Sequence, residues 1–404
     1  MALLPSSATE DARYLLVTRA LRGFADGLVS VLLAGYLIRL GFTPLQVGAI
    51  VTGTLLGSAA LTTAVGLAGQ GLERRRVLLF AALLMLATGL GFAGLRAFWP
   101  LLAVAVVGTL NPTAGDVSVF LPVEQAVLAE TVGGSERTAV FAWYNVAGTL
   151  AGGLGAHAGG VPDVVARLAG VDPLAAERGG FVFYAAVAAV VALIYQRLSP
   201  SVERAVRTGQ APLARSRSVV LRLATLFSLD AFGGGFVVQS LLVLWLYRRF
   251  QLSVASAGAI FFGAGMVGAL SQFLSAKLAA RIGHVRTMVY THLPANLFLL
   301  AAGVVPSAPL AVAFLLLRAS MSQMDVPARQ AYVMSLVPPE ERMAASSVTN
   351  VPRSLAAAIP PLFTGILLDR SSFGWPLVLG GALKALYDVL LLVQFRTLRP
   401  PAEP

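Results

Sequence analysis

Ionisable side chains lie within several long apolar stretches of this chain, where they are expensive to bury and are therefore candidates for function. Asp26 and Asp230 are two such carboxylates, and Arg22 lies four residues before Asp26 on the same helix face, where the two can pair. A buried carboxylate can take up and release a proton as its surroundings change, and a cation can compete with that proton. Arginines in the same stretches mean that the site could bind an anion, a zwitterion or a cation. The residues predicted to bind substrate or protons are Arg22, Asp26, Asn111, Asp116, Asp230, Arg318, Gln323 and Asp325.

Other kinds of chemistry find little support in the sequence. The chain has no cysteine and only 3 histidines, which excludes disulfides and iron–sulfur centres and disfavours a zinc site. It carries no HExxH, GxSxG or P-loop motif, and no nucleophile–base set is evident in the apolar stretches. No basic segment is interleaved with aromatic residues, so nucleic acid is not an expected partner. We therefore expect neither an enzyme nor a bound cofactor or metal ion.

The elements that position these residues must be membrane helices. Of the 404 residues, 57% are apolar and only 12% are charged, and the mean hydropathy is +0.79. The charged share is about half that of an average soluble domain. Uncharged runs such as 40–72 and 287–317 are long enough to cross a bilayer as helices. The composition excludes a soluble multidomain enzyme, a coiled coil and a disordered chain, and it indicates an all-α integral membrane protein.

Twelve membrane-spanning helices are predicted from these runs. The run 287–317 is too long for one helix and is divided at Pro306 and Pro309, because prolines mark a break between helices. The predicted spans are residues 13–40, 43–70, 75–95, 98–131, 136–160, 178–197, 218–248, 253–281, 285–305, 309–337, 341–369 and 374–396.

Basic residues are distributed unevenly between the loops on the two sides of the membrane. More than twice as many fall on the side that holds the segment 198–217 and both termini as on the other side. Because basic loops stay in the cytoplasm, both termini and this segment are predicted to be cytoplasmic. We expect a multi-pass monomer in the inner or plasma membrane, whose partners are the lipid bilayer, protons and a small-molecule substrate.

The two parts of the chain carry related sequences. Pro-Val-Glu-Gln-Ala at 122–126 corresponds to Pro-Ala-Arg-Gln-Ala at 327–331, and the two Glu-Arg pairs at 136–137 and 341–342 share the same offset. Two six-helix halves in the same orientation are typical of transporters that bind substrate between the halves. The predicted boundaries are an N-terminal half over 1–197, a linker over 198–217 and a C-terminal half over 218–404. The residues assigned gating or structural roles are Glu124, Gln125, Glu136, Arg137, Asn145, Arg329, Gln330, Glu341, Arg342, Asn350 and Arg353.

The loops after the second and eighth predicted helices carry related motifs. The first reads Gly-Leu-Ala-Gly-Gln-Gly-Leu-Glu-Arg-Arg-Arg at 66–76, and it resembles the G-x-L-A-D-R-x-G-R-R motif of the major facilitator superfamily. With the repeat, it identifies the chain as a member of that family over essentially its whole length. The motif's acid is replaced by Gln70 and Ala280, so either Glu73 substitutes for it or the latch of the outward-open state is weak. The motif residues that remain are Gly66, Arg74, Arg75, Arg76, Arg281 and Gly283.

The resemblance implies a twelve-helix transporter that works by alternating access, with the first, fourth, seventh and tenth helices lining a central cavity. The expected function is proton-coupled efflux of a small organic substrate, either drug-like or a metabolite. The alternatives are uptake or exchange of a metabolite, and efflux of a divalent metal ion through the buried carboxylates. The export direction rests on glycines of the fifth helix such as Gly152, and on Pro360 and Pro361 of the eleventh. These residues fit either the rocking interface of exporters or simple close packing.

Spacing and repeat position also suggest roles for the remaining charged residues. Lys384 and Asp388 lie four apart and are interpreted as a structural pair. Glu124 and Arg329 occupy equivalent positions of the repeat, so they either pair across the pseudo-symmetry axis or lie separately near the ends of their helices. Arg19 lies near the start of the first helix and is interpreted as reaching the cytoplasmic surface.

Overall fold

The structure is a computed structural model that describes residues 9–68, 73–113, 119–131, 137–203, 214–338 and 341–396. Within these residues the backbone is α-helical apart from turns, connecting segments and one short 3₁₀ helix, and it contains no β-strand. The prediction of an all-α fold is therefore confirmed. Residues that the sequence analysis singled out but that lie outside the description are Gln70, Asp116 and Glu136, together with the side chains of Gly66, Arg137, Ala280, Gln330 and Arg342.

Seventeen α-helices are described. In chain order they are α1 (Glu10–Arg39), α2 (Pro44–Ala68), α3 (Arg74–Gly94), α4 (Phe98–Val107), α5 (Phe120–Thr131), α6 (Arg137–Ala158), α7 (Val161–Ala169), α8 (Pro173–Tyr195), α9 (Arg217–Gly235), α10 (Gln239–Phe250), α11 (Val254–Ile282), α12 (His284–Val304), α13 (Ala308–Ser322), α14 (Asp325–Leu336), α15 (Arg342–Ala358), α16 (Pro360–Arg370) and α17 (Trp375–Phe395). A 3₁₀ helix spans Pro200–Glu203.

Four of the predicted spans each correspond to two helices in succession, namely α4 and α5, α9 and α10, α13 and α14, and α15 and α16. Pro360 and Pro361 begin α16, because proline lacks an amide hydrogen and its ring collides with the preceding turn. At the end of α9 the amide of Phe236 bonds to the carbonyl of Gly233 at 3.3 Å, which forms a tight turn. Nine helical segments of the described chain are long and apolar enough to cross a membrane, so the count of twelve spans stays a prediction.

The helix α7 was not predicted. It is too short to span a bilayer, and it exposes Val164 and Leu168 on one face. Its other face is fastened to the bundle through Arg39 at the end of α1, whose guanidinium lies 2.8 Å from Asp163 of α7 and 3.0 Å from Glu177 of α8. This arrangement places α7 across the ends of α1 and α8.

Small residues bring the helices of each half close together. In the N-terminal part α1 packs against α6 and α8, and α3 packs against α8; in the C-terminal part α9 packs against α15 and α17, and α12 against α17. A Cβ added to Gly27 of α1 would lie 2.0 Å from the carbonyl oxygen of Gly152 on α6, a distance that no larger residue tolerates. The contact requires glycine at position 27, whereas a Cβ on Gly152 would lie 3.5 Å from the carbonyl oxygen of Gly23, an ordinary packing distance.

One end of the bundle carries the start of α1, the end of α17 and the segment between the two halves. Asp11 accepts hydrogen bonds there from the amide and hydroxyl of Ser199, at 2.9 and 2.5 Å. The carboxylate of Glu203 accepts from the amides of Arg74 and Arg75 at 2.7 and 2.9 Å, and so caps α3. We call this the linker end, and the opposite end, which contains α7 and α16, the far end.

Glu341 plays the corresponding part at the linker end of the C-terminal half. Its carboxylate accepts from the amides of Arg215 and Ser216 at 3.0 and 3.1 Å, just before α9 begins. These amide hydrogen bonds, chiefly the one from Arg215, hold the pKa of the Glu341 carboxyl below its ordinary value. Glu73, the possible substitute for the motif acid, pairs instead with its neighbour Arg76 at 2.9 Å on the surface.

The two halves touch each other towards the far end. Helix α2 packs against α16, and a Cβ on Gly48 would lie 2.5 Å from the carbonyl oxygen of Pro361. Deeper in the bundle, the side-chain amide of Gln239 on α10 donates to the hydroxyl of Ser30 on α1 at 3.0 Å. Helices α6 and α11 are also in contact. In this conformation the passage between the halves is closed at the far end.

Candidate functional site

A cavity of about 530 Å³ lies between the two groups of helices. Its apolar wall includes Leu55, Leu242, Ile260, Phe261 and Leu315, from α2, α10, α11 and α13. Its charged and amide-bearing side chains come from both halves and are Arg19, Asp26, Asn111, Asp230, Gln239, Arg318, Gln323, Arg353 and Lys384. The volume is in the range of sites that hold drug-sized molecules.

Five of the residues predicted to bind substrate or protons line this cavity, namely Asp26, Asn111, Asp230, Arg318 and Gln323. Arg353, which was assigned to gating, lines it as well. Arg22 and Asp325 are buried elsewhere, in the two networks described below. The prediction for Asp116 falls outside the described residues.

Two cationic side chains that line the cavity, Arg19 and Lys384, were not predicted to lie there. Arg19 does not simply reach the surface but lines the cavity, with its guanidinium 5.2 Å from the ring centre of Tyr144. Lys384 also lines the cavity, although its spacing from Asp388 suggested a structural pair. Neither position at the cavity was predicted, because position along a helix does not define which neighbouring helix a side chain faces.

Glu124 of α5 is the centre of a closed network in the N-terminal half. Its side chain is 0% exposed and accepts hydrogen bonds from Arg22, from Tyr144, from Thr18 at 2.9 Å and from Tyr195 at 2.5 Å. The Arg22 guanidinium is also buried and lies 4.2 Å from the ring centre of Phe120. Every donor comes from the same half, so this network ties α1, α5, α6 and α8 together.

Asp230 of α9 is the centre of the corresponding network in the C-terminal half. One of its oxygens lies 2.5 Å from the Lys384 ammonium and 3.6 Å from Nε2 of His292. The other lies 3.5 Å from the Arg329 guanidinium, which also contacts Asp325 at 3.2 Å. Unlike Glu124, Asp230 lines the cavity, so this network has one face towards a ligand.

His292 connects Asp230 to a second buried acid. Its Nδ1 lies 2.9 Å from Oδ1 of Asp388. The other oxygen of Asp388, Oδ2, accepts a hydrogen bond from the side-chain amide of Asn296 at 2.8 Å. Neither His292 nor Asn296 was predicted to belong to the site. A signal was available: the two lie four residues apart on α12, as Lys384 and Asp388 do on α17, and helices with matching polar stripes tend to face each other.

The suggested pair of Glu124 and Arg329 is not formed. Glu124 is bound by Arg22, and Arg329 is bound by Asp230 and Asp325, so each is neutralised within its own half. Both side chains are buried, and their pairing follows the packing inside each half.

The other residues assigned to gating or to the loop motifs lie outside these networks. Gln125 is half-buried, while Asn145 and Asn350 are exposed. Asn350 accepts a 3.5 Å hydrogen bond from Arg353. Arg281 is exposed in the last turn of α11, and Gly283 ends that helix with φ +85°, a conformation that favours glycine.

Asp230, His292 and Asp325 bring three possible metal-ligand atoms within 4.8 Å of one another. The charges around them argue against a metal ion, because Lys384 and Arg329 already occupy both oxygens of Asp230. A divalent cation would have to displace two cations from this carboxylate. The cluster is therefore better described as an ion-pair network than as a metal centre.

Comparison with known proteins places these features in a family. The family model for the Major Facilitator Superfamily matches residues 15–321 and 223–404. A curated relative, the uncharacterized membrane protein YJR124C of Saccharomyces cerevisiae, is 26% identical over 96% of this chain and 94% of its own length.

Several solved structures share the fold. The nucleoside transporter NupG superposes with a TM-score of 0.72 at 13% identity, covering 96% of this chain and 100% of its own. A bacterial homolog of the human lysosomal transporter Spinster, in an inward-facing and unoccupied conformation, gives 0.72 at 14% identity and 96% coverage of both chains. The human organic anion transporter MFSD10 gives 0.64 at 20% identity, covering 96% of this chain and all of its own.

At these low sequence identities, the similarity to the solved structures shows the fold alone. The match to the family model extends over the whole bundle. The all-helical architecture, the apolar spans and the cavity between two groups of helices agree with it. The resemblance seen in the loop motifs and the repeat is thus confirmed, and the chain is a multi-pass membrane protein that belongs to the major facilitator superfamily.

Proposed function

We propose that this protein is a secondary transporter of the inner or plasma membrane that exports a small organic molecule in exchange for protons. The observation that carries the proposal is the cavity, which lies between the two halves and is lined by ionisable side chains from both. A membrane protein has little reason to keep such side chains in its interior unless they contact a substrate or an ion. Contacts between the halves at the far end support the proposal that this conformation receives substrate from the linker end.

The proton acts in this proposal at Asp26 or Asp230. Both carboxylates line the cavity, so both can exchange a proton with water when the cavity is open. Lys384, Arg329 and His292 converge on Asp230 and favour its ionised form, so in the proposal a proton binds there only when these cations move away. Glu124 lacks this access, since it is fully enclosed by donors of its own half.

The linker end faces the cytoplasm in the proposal, as the distribution of basic loop residues predicts. Substrate then enters from the cytoplasm and leaves at the far end when the halves rock about the cavity. The solved neighbours, named as transporters of nucleosides and of organic anions, support transport as the activity but disagree about the substrate. A metal ion is disfavoured as substrate by the cations that occupy Asp230.

Flux measurements in proteoliposomes test the proposal. Purified protein is reconstituted, a panel of labelled organic compounds is offered with and without a pH gradient, and Asp26→Asn and Asp230→Asn serve as matched variants. We expect at least one compound to accumulate against its gradient only when the pH gradient is present, and each Asn variant to lose that accumulation. Gradient-independent flux of every compound in the wild type would contradict proton coupling. Chemical conversion of a compound would contradict transport.

A further inference from the structure

The described lining of the cavity carries an excess of positive charge. Its described lining contains four cationic side chains, Arg19, Arg318, Arg353 and Lys384, against the two carboxylates Asp26 and Asp230. Lys384 is already neutralised by Asp230. An excess of this kind inside a membrane protein is costly unless a counter-ion completes it.

Arg318 is the clearest case of a cation with no counter-ion in the part of the chain that the structure describes. Among the described residues its guanidinium has no hydrogen-bond or ion-pair partner, and its Nε is buried without one. Asp230 and Asp325 act on it only from beyond ion-pair distance, and both already bind other cations. Arg318 lies on the same face of α13 as Leu315, which also lines the cavity, so its head group reaches the cavity space.

Arg353 of α15 is in a similar state. Its one hydrogen bond in the described chain is a long contact of 3.5 Å to Asn350, three residues away on its own helix. Its Nε is buried without a partner, and it lines the cavity together with Ser354. Arg22 and Arg329, the buried arginines of the two networks, are each held by a carboxylate. Arg318 and Arg353 therefore differ from Arg22 and Arg329 in that no described carboxylate pairs with them, and they are available to bind a ligand.

We infer that the substrate is an amphiphilic organic anion whose carboxylate, sulfonate or phosphate group binds Arg318 and Arg353. This inference rests on the proposed transport function, because it names the substrate class of the same cavity. A guanidinium presents paired donors that match the oxygens of such groups, which is why arginine is preferred where they are recognised. The apolar body of the molecule then lies against Leu242, Ile260 and Phe261.

The membrane potential fits this substrate with export. Moving a negative charge out of a negative interior is favoured by the membrane potential. The excess of positive charge disfavours closure of the empty cavity. An anion that enters from the linker end and binds the two arginines removes this excess, so the cavity can close around it. The anion could be a water-soluble metabolite or a lipid headgroup, since both present the same group to a guanidinium.

Binding to the purified protein tests the inference without any need for transport. Calorimetric titration in a nonionic detergent compares naphthalenesulfonate with naphthylmethylammonium, which pairs the same ring with the opposite charge. We expect saturable binding of the sulfonate and at least about tenfold weaker binding of the ammonium compound. A single-chain phosphatidylglycerol forms the lipid arm: binding of either anion supports the inference, and the tighter of the two identifies the source.

Two variants and a control locate the binding. Arg318→Gln and Arg353→Gln should each weaken anion binding by about tenfold or more, because each removes a charge-assisted hydrogen bond. Arg318→Lys keeps the charge and should retain part of the affinity. Arg222→Gln removes an exposed arginine of α9 and should bind like the wild type. If a Gln variant does not yield a folded protein, Arg318→Lys and the comparison of probe charges on the wild type still decide the matter.

The inference is overturned if neither anion binds, if the ammonium compound binds as tightly, or if both Gln variants bind like the wild type. Failure of the transport proposal looks different. If the anions bind through the two arginines but no compound moves with a pH gradient, the anion site stands and proton-coupled export does not. If a cation is pumped and no anion binds, the reverse holds.

Discussion

Removal of one partner of the Arg22–Glu124 pair should destabilise the protein strongly. Both side chains are almost completely buried, at 1% and 0% exposure, so a lone charge left behind has no water to solvate it. Breaking a buried pair in this way typically costs about 3–5 kcal/mol. Arg22→Met leaves the Glu124 carboxylate with three hydroxyl donors, from Thr18, Tyr144 and Tyr195, so we expect a loss of about 3 kcal/mol. Glu124→Leu should cost more, because those hydroxyls also lose their acceptor.

The assay is the free energy of unfolding in mixed micelles, measured for Arg22→Met, Glu124→Leu and the double variant. The double variant should be less destabilised than the sum of the singles, since neither charge is then left alone. Losses below about 1 kcal/mol, as at ordinary surface positions, would refute the buried network. The charge exchange of Glu124→Arg with Arg329→Glu should not restore activity, because Arg329 is held by Asp230 and Asp325 rather than by Glu124. Recovery in that double reversal would restore the pair suggested by the repeat.

Three further predictions follow from the sites and the orientation. Asp26→Asn and Asp230→Asn should each abolish accumulation driven by a pH gradient but retain exchange of substrate at equal pH, and loss of both activities would indicate misfolding instead. Because the folded-state pKa of Glu341 is lowered, its contribution to stability is present above the ordinary carboxyl pKa and is lost as the pH falls through the lowered value. Hydrogen exchange at the two bonded amides before α9 should therefore accelerate at acidic pH, after correction for the intrinsic rate, and Glu341→Ala should show the faster exchange already at neutral pH. With both termini in the cytoplasm, Ala214→Cys should react with a membrane-impermeant thiol reagent only from the cytoplasmic side and Val171→Cys only from outside, and the opposite pattern would reverse the orientation.

Much of the fold could be predicted from the sequence, because the bilayer imposes a single length and composition on its spanning helices. The all-α class and the family came from uncharged runs, the repeat and the loop motifs. The interruption before α16 was visible in Pro360 and Pro361, although the eleventh span was predicted as continuous. Helix α7 was missed because nine residues with a mixed face resemble a loop when only long apolar runs are sought.

The site could be predicted only in part, because spacing along a helix identifies a face but not the helix that the face meets. Asp26, Asp230 and Arg318, which were selected for their charge, line the cavity. The ion-pair partners were not predicted. Lys384 pairs with Asp230 on α9, whereas Asp388, four residues later, pairs with His292 on α12. The relative rotation of α9, α12 and α17 decides these pairings, and it depends on packing over the whole half.

The most direct test of proton-coupled export is a recording of internal pH during substrate movement. Proteoliposomes that contain the protein and a trapped pH-sensitive dye are clamped with valinomycin and equal potassium, and a transported compound is added outside. The account predicts that the interior becomes alkaline as the compound enters, because each inward step is exchanged for an outward proton, and that Asp230→Asn abolishes this change. Substrate entry with no change of internal pH in the wild type, or with acidification, would contradict exchange with protons.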